Sequence, residues 1–357
     1  MDVYGFAVTI QPMPAPSAPL AIAAEEHGRG SVTLREVARV AGVSAMTVSR
    51  VLNTPGRVNA GTRQRVDEAI RQLGYVPNLA ANSLRSSRSH LVTALVPTMT
   101  GSLFSGMVRS LTEALEERGF QLMVGQSGYG RSREDELLRA IIGRRPDGIV
   151  LTGIMHSPQG RAMLLSSGIP VVETWDTTPD PIDMLLRLSH EQIGRRVCAW
   201  LHERGRHRLA LLSGDDERAE RRTTGFVQEA AARGLPEPRV VRVPAPTTHA
   251  QGRQGLGELL QADAGIEGIF CSSDMMAAGV ITEAQQRGID VPGRLAVVGF
   301  GDLDYAASML PSVTTVRVDG GAIGTRAAAM IAARANGEPV RERIVDVEFS
   351  IVARDSA

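Results

Sequence analysis

The apolar positions of the chain change rhythm near residue 90. Before it, they recur at helical spacing in short stretches. Leu34, Val37 and Ala38 follow Thr33, a candidate N-cap, and Gly42 supplies a tight turn behind them. Ser44 caps a second predicted helix, Ala45 to Leu52, with Val48, Val51 and Leu52 inward, until Asn53, Pro55 and Gly56 break it. A third helix is predicted from about Ala60 to Leu73, with Val66, Ala69, Ile70 and Leu73 on one side and Gly74 as its stop. Two short helices joined through a glycine turn and buttressed by a third form a helix-turn-helix pattern.

From Leu91 onward, short apolar runs alternate with amphipathic ones. Leu91 to Val96 reads as a strand, the segment with Leu103, Met107, Leu111 and Leu115 as a helix, and Phe120 to Val124 as a strand again. The alternation continues through Gly148 to Leu151, Pro170 to Val172, Leu209 to Leu212, Val240 to Val243, Gly268 to Cys271 and Leu295 to Val298. Such a succession predicts parallel sheets with helices on both faces. About 265 residues exceed one sheet, so two doubly wound lobes are expected. Ligands in such sheets bind outside the carboxyl ends of the strands. A last alternating run, Val345 to Ile351, reads as one strand.

Charge divides the chain the same way. Residues 31–90 hold nine Arg and three acidic residues, a charge of +6, and a total of zero leaves −6 for the remainder. A basic head on an acidic body fits a polyanion partner. Every one of the 39 basic residues is Arg, which excludes P-loop nucleotide hydrolysis and Schiff-base chemistry. The two cysteines, Cys198 and Cys271, make neither a disulfide framework nor a zinc site, so a reduced, intracellular protein is expected. Residues 1–30, with Pro12, Pro14, Pro16 and Pro19, lack the basic and apolar regions of a signal peptide and read as a disordered leader. Nor does any window hold the ~20 apolar residues of a membrane span. The expected location is cytoplasmic, with the nucleoid.

Enzyme signatures fail on spacing. His202, Glu203 and His207 approach a zinc-protease motif, but the second His comes one residue late and Gly205 interrupts the helix. Gly125-Gln126-Ser127-Gly128 lacks the spacing of a nucleophile elbow, and Asp302 with Asp304 reads as turn-capping carboxylates. No catalytic residue, metal site or cofactor is expected.

One segment carries a specific pattern. Val32-Thr33-Leu34-Arg35-Glu36-Val37-Ala38, Ala41-Gly42-Val43-Ser44 and Thr47-Val48-Ser49-Arg50-Val51-Leu52-Asn53 resemble the DNA-binding head of the lactose/galactose repressor (LacI/GalR) family. The similarity extends through Val58, Thr62, Val66 and Gly74-Tyr75-Val76-Pro77-Asn78 to Ala81 and Leu84. Further on, Pro146-Asp147-Gly148-Ile149, Gly168-Ile169-Pro170-Val171-Val172, Ser273-Asp274, Val298-Gly299-Phe300 and Pro311-Ser312-Val313-Thr314-Thr315-Val316 resemble that family's effector-binding core. Leu151-Thr152-Gly153 with His156-Ser157, Val171 to Asp176, Pro181 to Met184, Ser189-His190 and Gly299-Phe300-Gly301-Asp302 are similar to the gluconate-utilisation repressors.

The resemblance implies a small all-α helix-turn-helix head and an α/β core of two parallel-sheet lobes like those of periplasmic binding proteins. The expected bounds are 31–76 for the head and 77–89 for a hinge helix and linker. The core takes 90–357, its first lobe 90–204 and 317–338 and its second 205–316 and 339–357. The implied function is a DNA-binding repressor of carbohydrate or sugar-acid utilisation genes, controlled by a small effector between the lobes. A periplasmic sugar-binding protein would have no use for the basic head, and a sugar-modifying enzyme would need an acid-base pair or metal.

Ala45, Met46 and Arg50 fall at the base-reading positions implied by the resemblance. Ala45 and Met46 suit shape and thymine methyls, and Arg50 suits guanine. Thr33, Ser44, Thr47 and Asn53 are phosphate or capping groups, Ser44 fitting both roles. Asn78 to Leu84 corresponds to the hinge helix, with Ala81 in it and Leu84 either wedging into the minor groove or packing on the core. In the core, the effector residues are Thr98, Thr152, Arg222, Ser273, Asp274, Phe300 and Asp302. Asp274 also reads as a helix cap, and Asp302 as a substitute for the family's Asp at the position of Gly301. Arg218 and Arg221 read as surface salt bridges. The expected partners are a palindromic double-stranded DNA operator, a small effector such as gluconate or a related sugar acid, and a second copy of the chain. No leucine heptad is seen after Ile351, so a homodimer is expected.

Overall fold

The computed structural model describes residues 32–76, 88–99, 103–128, 131–155 and 157–357. It forms two compact units, one ending at Leu79 and one beginning at Ala80.

In the first unit, α1 (Leu34–Ala41) opens with a reciprocal capping box between Thr33 and Glu36 and ends at Gly42 with φ 62°. That left-handed turn lets Val43 close back on Ala38 and starts α2 (Ala45–Asn53) at once, capped by Ser44. A 3-10 turn at Pro55–Arg57 leads to α3 (Ala60–Leu73), which stops on Gly74 at φ 60°. Val37, Ala38, Ala41, Val48, Val51, Val66 and Ala69 form the core, leaving the charged faces to water.

The second unit holds two six-stranded sheets. The first contains β1 (Leu91–Val96), β2 (Gln121–Gln126), β3 (Gly148–Thr152), β4 (Val171–Asp176), β5 (Met184–Arg187) and β11 (Ile344–Asp346), ordered β11-β5-β4-β3-β1-β2. The second contains β6 (Leu209–Gly214), β7 (Arg239–Val243), β8 (Gly268–Cys271), β9 (Ala296–Phe300), β10 (Thr314–Val318) and β12 (Phe349–Val352), ordered β12-β10-β9-β8-β6-β7. Among the described residues, the named strands pair in parallel except β10 with β12.

Strands covered on both faces must be apolar throughout, and alternate residues serve opposite layers. Val150 joins the cluster of Met107 and Leu111 from α4 (Ser105–Glu116) and Ile331 from α11 (Gly320–Ala335). Ile149 and Leu151 join Leu138 and Ile141 of α5 (Arg131–Ile142) and Leu164 of α6 (Pro158–Ser167). In the second sheet, Leu211 packs with Trp200 of α7 (His190–Glu203) and Phe226 of α8 (Glu217–Ala232). Leu212 packs with Leu256 of α9 (His249–Ala262) and Val280 of α10 (Asp274–Gln286).

The lobe boundaries differ from those expected. Helix α7 belongs to the second lobe: it lies against α8 at Gly194, where a Cβ would stand 1.9 Å from the Arg222 carbonyl oxygen. The chain therefore crosses between the lobes just after β5, not near residue 204. It crosses again after Val318, since β10 remains in the second sheet. The run Val345 to Ile351 is not one strand. Ile344–Asp346 pairs with β5 in the first sheet and Phe349–Val352 with β10 in the second, so the residues between them form the third crossing. An alternating pattern records that each half is half-buried, but not that the two halves belong to different sheets.

Candidate functional site

In the head, α2 presents the base-reading candidates. Met46 is 64% exposed near its N-terminus, a large apolar side chain that its own small core leaves in water. Arg50 is exposed one turn further on, and Ala45 is half-buried. The hydroxyl of Ser44 accepts from the Thr47 N–H at 3.1 Å and shares a hydrogen bond with the Thr47 hydroxyl at 2.9 Å. Thr33 is engaged with Glu36 in its capping box, and the Asn53 amide donates to the Ser49 carbonyl at 2.8 Å. Asn78, Ala81 and Leu84 lie outside the described residues, as does the leader.

Between the lobes of the core lies a cavity of about 90 Å³. The first lobe supplies Thr98, Leu103, Phe104 and Trp175, and the second lobe supplies Arg222 of α8, Thr247, Ser273 and Phe300. Trp175 reaches it because β4 is irregular there: its φ is 60°, and the register to β5 shifts between Thr174 and Asp176. Its indole N–H donates to the Met107 sulfur at 3.1 Å and its ring meets Phe104 edge-on at 5.3 Å.

Arg222 is only 5% exposed. Its Nη1 lies 3.0 Å from Nδ1 of His190, its Nη2 donates to the Ser272 carbonyl at 3.4 Å, and its Cζ stands 4.2 Å above the Phe300 ring centroid. A guanidinium can only donate, so Nδ1 is the acceptor and Nε2–H donates to the Trp175 carbonyl at 2.9 Å. Burial, then the positive charge of Arg222, hold His190 neutral, its pKa well below the ordinary 6.5. The imidazole thus connects the backbone of the first lobe to a cation of the second. Ser273 caps α10 and shares a hydrogen bond with Thr247 at 2.8 Å.

Thr98, Arg222, Ser273 and Phe300 come together in this cavity, whereas Thr152 lines an adjoining one. Asp274 and Asp302 line neither, contrary to the expectation for both. Asp274 is fully buried, accepting from the Thr315 hydroxyl at 2.5 Å and the Leu303 N–H at 2.8 Å. Burial pushes its pKa up to about 6, against those hydrogen bonds. Asp302 turns away at φ 49° to Arg317 and Arg354, at 2.5 and 2.6 Å. Desolvation acts upward on its carboxyl, but hydrogen bonds from Arg354 and Arg317 hold it below the usual range.

Arg218 and Arg221 also depart from the surface role expected of them. Arg218 lines the cavity and donates to the Thr152 carbonyl of the first lobe at 3.4 Å. Arg221 donates to Asp176 at 2.7 Å and to the Thr177 carbonyl at 3.1 Å, joining α8 to the end of β4 across the cleft. His190, Trp175 and Phe104 were missed as site residues. The available signal was Ser189-His190, a cap followed by an imidazole where a helix must start at the cleft.

The head and core also match known proteins. Residues 33–78 match the family model "Bacterial regulatory proteins, lacI family", and residues 199–357 match the "Periplasmic binding protein-like domain". The chain is 35% identical over 329 residues to the HTH-type transcriptional regulator GntR of Pseudomonas aeruginosa, covering 92% of this chain and 96% of that one. The chain belongs to the LacI family. It is a DNA-binding transcriptional regulator with an effector-binding core, not an enzyme. Another relative, the HTH-type transcriptional regulator GntR of Escherichia coli K12, is 30% identical across 89% of this chain and 96% of its own. The crystal structure of a LacI-family transcriptional regulator from Silicibacter pomeroyi is 32% identical and superposes with a TM-score of 0.86, covering 91% of this chain and 99% of that one. Among the described residues, no helix is long and apolar enough to cross a membrane.

Proposed function

We propose that this LacI-family regulator is a cytoplasmic, nucleoid-associated repressor that binds a palindromic operator as a homodimer. Its ligand is a sugar acid of the gluconate type. A single helix-turn-helix reads one half-site, and twofold symmetry of the protein matches twofold symmetry of the DNA. In the head, Arg50 reads a guanine and Ala45 and Met46 take thymine methyls, while Ser44 and Thr47 adjoin phosphates. Asn78, Ala81 and Leu84 serve the hinge, with Leu84 entering the minor groove.

Arg222 carries the effector reading. A guanidinium so far removed from water, set in a cavity wall against an aromatic face, can fork onto a carboxylate. Similarity to regulators named GntR and the gluconate-type residues of the core support the same ligand class. Because a ligand can shift only an equilibrium between states it binds unequally, the acid must prefer one arrangement of the lobes.

The test is retardation of a palindromic operator fragment by the purified protein in the presence of gluconate. Release at millimolar or lower gluconate, with neutral glucose silent, is the expected result. Release by neutral sugars while every sugar acid is silent would leave a repressor and remove the acid.

A further inference from the structure

Trp175 belongs to the first lobe and Arg222 to the second, and the side chain of His190 touches both. The register between β4 and β5 passes from Thr174 to Asp176, leaving Trp175 out of that ladder as the extra residue of a bulge. Its indole lines the cavity while its carbonyl meets His190 Nε2 at 2.9 Å. His190 is the first residue of α7, which packs on α8 of the second lobe.

A neutral imidazole has one N–H and one lone pair, so these two contacts are not independent. With Nδ1 accepting from Arg222 at 3.0 Å, the proton must sit on Nε2, where the Trp175 carbonyl accepts it. Separation of the lobes would carry that carbonyl away from α7. The buried N–H then loses its acceptor, which is costly unless the ring turns or the proton moves to Nδ1. Either change withdraws the acceptor from Arg222. Arg218 and Arg221 cross the cleft as well, but a guanidinium has no lone pair to offer a second cation.

We infer that His190 couples lobe arrangement to effector affinity, as a positioning residue that orients the Arg222 fork toward the acid while the Trp175 carbonyl holds its Nε2–H. This rests on the effector reading above and names the residue through which the acid distinguishes two arrangements. The acid selects the arrangement described here, and an operator released by the acid selects the other.

Two near-isosteric variants cut the bridge at opposite ends. His190→Asn places an amide oxygen where Nδ1 stands and reaches no further, keeping the acceptor for Arg222 and losing the bond to Trp175. His190→Gln places an amide nitrogen where Nε2 stands, keeping the donor to Trp175 and losing the acceptor for Arg222. Calorimetry measures gluconate affinity of the full-length proteins, and anisotropy of a labelled operator measures DNA affinity without gluconate and at saturating gluconate. The ratio of the two operator affinities is the coupling, and either cut should lower it by about fivefold or more. Gluconate affinity should fall about tenfold in His190→Gln, as for one lost charge-assisted hydrogen bond, and stay within about threefold in His190→Asn. A role in packing alone predicts that affinity and coupling both follow melting temperature. Full coupling in His190→Asn, or unweakened gluconate binding in His190→Gln, would overturn the bridge and leave the effector reading standing. If neither variant folds, nitrogen-15 spectra of the histidine-labelled, unmodified protein decide. A histidine fixed as the Nε2–H tautomer whose ring nitrogens shift on addition of gluconate is expected, and histidines that all stay unshifted while gluconate binds would overturn the bridge. An unmodified protein that binds no gluconate would overturn both readings.

Discussion

Arg222 donates to Nδ1 of His190 at 3.0 Å, and that one contact decides where the imidazole carries its proton. Both residues are buried in the cleft, one at the start of α7 and the other in the middle of α8. The helices can approach closely enough because Gly194 and Gly225 have no Cβ at their crossing. The imidazole then holds the guanidinium from one side while the Phe300 ring lies beneath it. The orientation of the cation is therefore built into the fold before any ligand arrives.

This contact makes stability depend on pH. His190 resists protonation in the native state because of burial and Arg222, whereas in the unfolded chain it titrates near 6.5. Below that value the unfolded state binds the extra proton, so this contribution to stability is complete above about pH 6.5 and declines as pH falls. His190→Gln cannot titrate and should flatten the decline between about pH 7 and about pH 5, at a cost of about 1–3 kcal/mol at neutral pH. Urea denaturation over that range measures both effects. Parallel curves for the two proteins would show that His190 does not titrate in this way.

Much of the molecule was legible in its residues because local rules suffice where contacts are local. Thr33, Gly42, Ser44 and Gly74 mark helix ends through the same backbone geometry that the structure shows. The alternation of strand and helix likewise gave two parallel sheets. The lobe crossings were not legible, since Val345 and Ile351 have similar surroundings in sheets that only tertiary packing distinguishes. The site was legible in part for a similar reason. Arg222 occupies a recognisable position near Gly225-Phe226, but His190 and Trp175 become site residues only through a crossover and a bulge. Asp274 and Asp302 looked like ligand groups, and tertiary partners Thr315, Arg317 and Arg354 claim them instead.

Asp274 should oppose the pH trend of His190. Its native pKa of about 6 lies above the ordinary 3.8, so in the interval between them the folded state binds more protons than the unfolded. Its contribution is most favourable in acid and is lost as pH rises through about 6. Asp274→Asn removes this titration but turns an amide N–H₂ toward either the Leu303 N–H or Thr315. A stability loss of about 1–3 kcal/mol near pH 7 is expected, with a smaller decline between pH 4 and 6 than in the unmodified protein. Differential scanning calorimetry across that interval checks both, and an unaltered slope would contradict the assigned titration.

Arg221 and Asp176 tie the lobes together. The carboxylate is almost wholly buried, and Arg221→Ala takes away a positive charge that faces it at 2.7 Å. Arg221→Ala should destabilise the core by about 1–3 kcal/mol, less than for a fully buried pair because the guanidinium retains some access to water. It should also favour a wider separation of the lobes, seen as a larger radius of gyration by small-angle scattering. No change in either quantity would make the contact incidental.

Base reading by the head is tested by selection from random DNA. Arg50→Ala should relax preference at one base pair of each half-site, by about 1–3 kcal/mol for a bidentate guanine contact. Leu84→Ser should weaken operator binding far more than binding to random sequence, since a wedge acts only where the duplex is kinked. Equal losses on both DNAs would remove the wedge, and an unchanged preference would remove Arg50 from the reading set.

The last prediction separates ligand recognition from DNA recognition. Arg222 lies in the core, while the base-reading candidates lie on α2 of the head, so Arg222→Ala should abolish the response to gluconate in the operator-retardation assay. Truncation also takes the donor from His190 Nδ1, and a general loss of stability could imitate a loss of response. Arg222→Lys resolves this. It keeps the positive charge and loses the planar fork, so a recognition role predicts a response displaced to higher gluconate, by about tenfold or more for one lost charge-assisted hydrogen bond. A purely structural role predicts a lowered melting temperature with the midpoint of release unmoved. If Arg222→Ala still releases the operator at the original gluconate concentration, the acid is held elsewhere in the cleft.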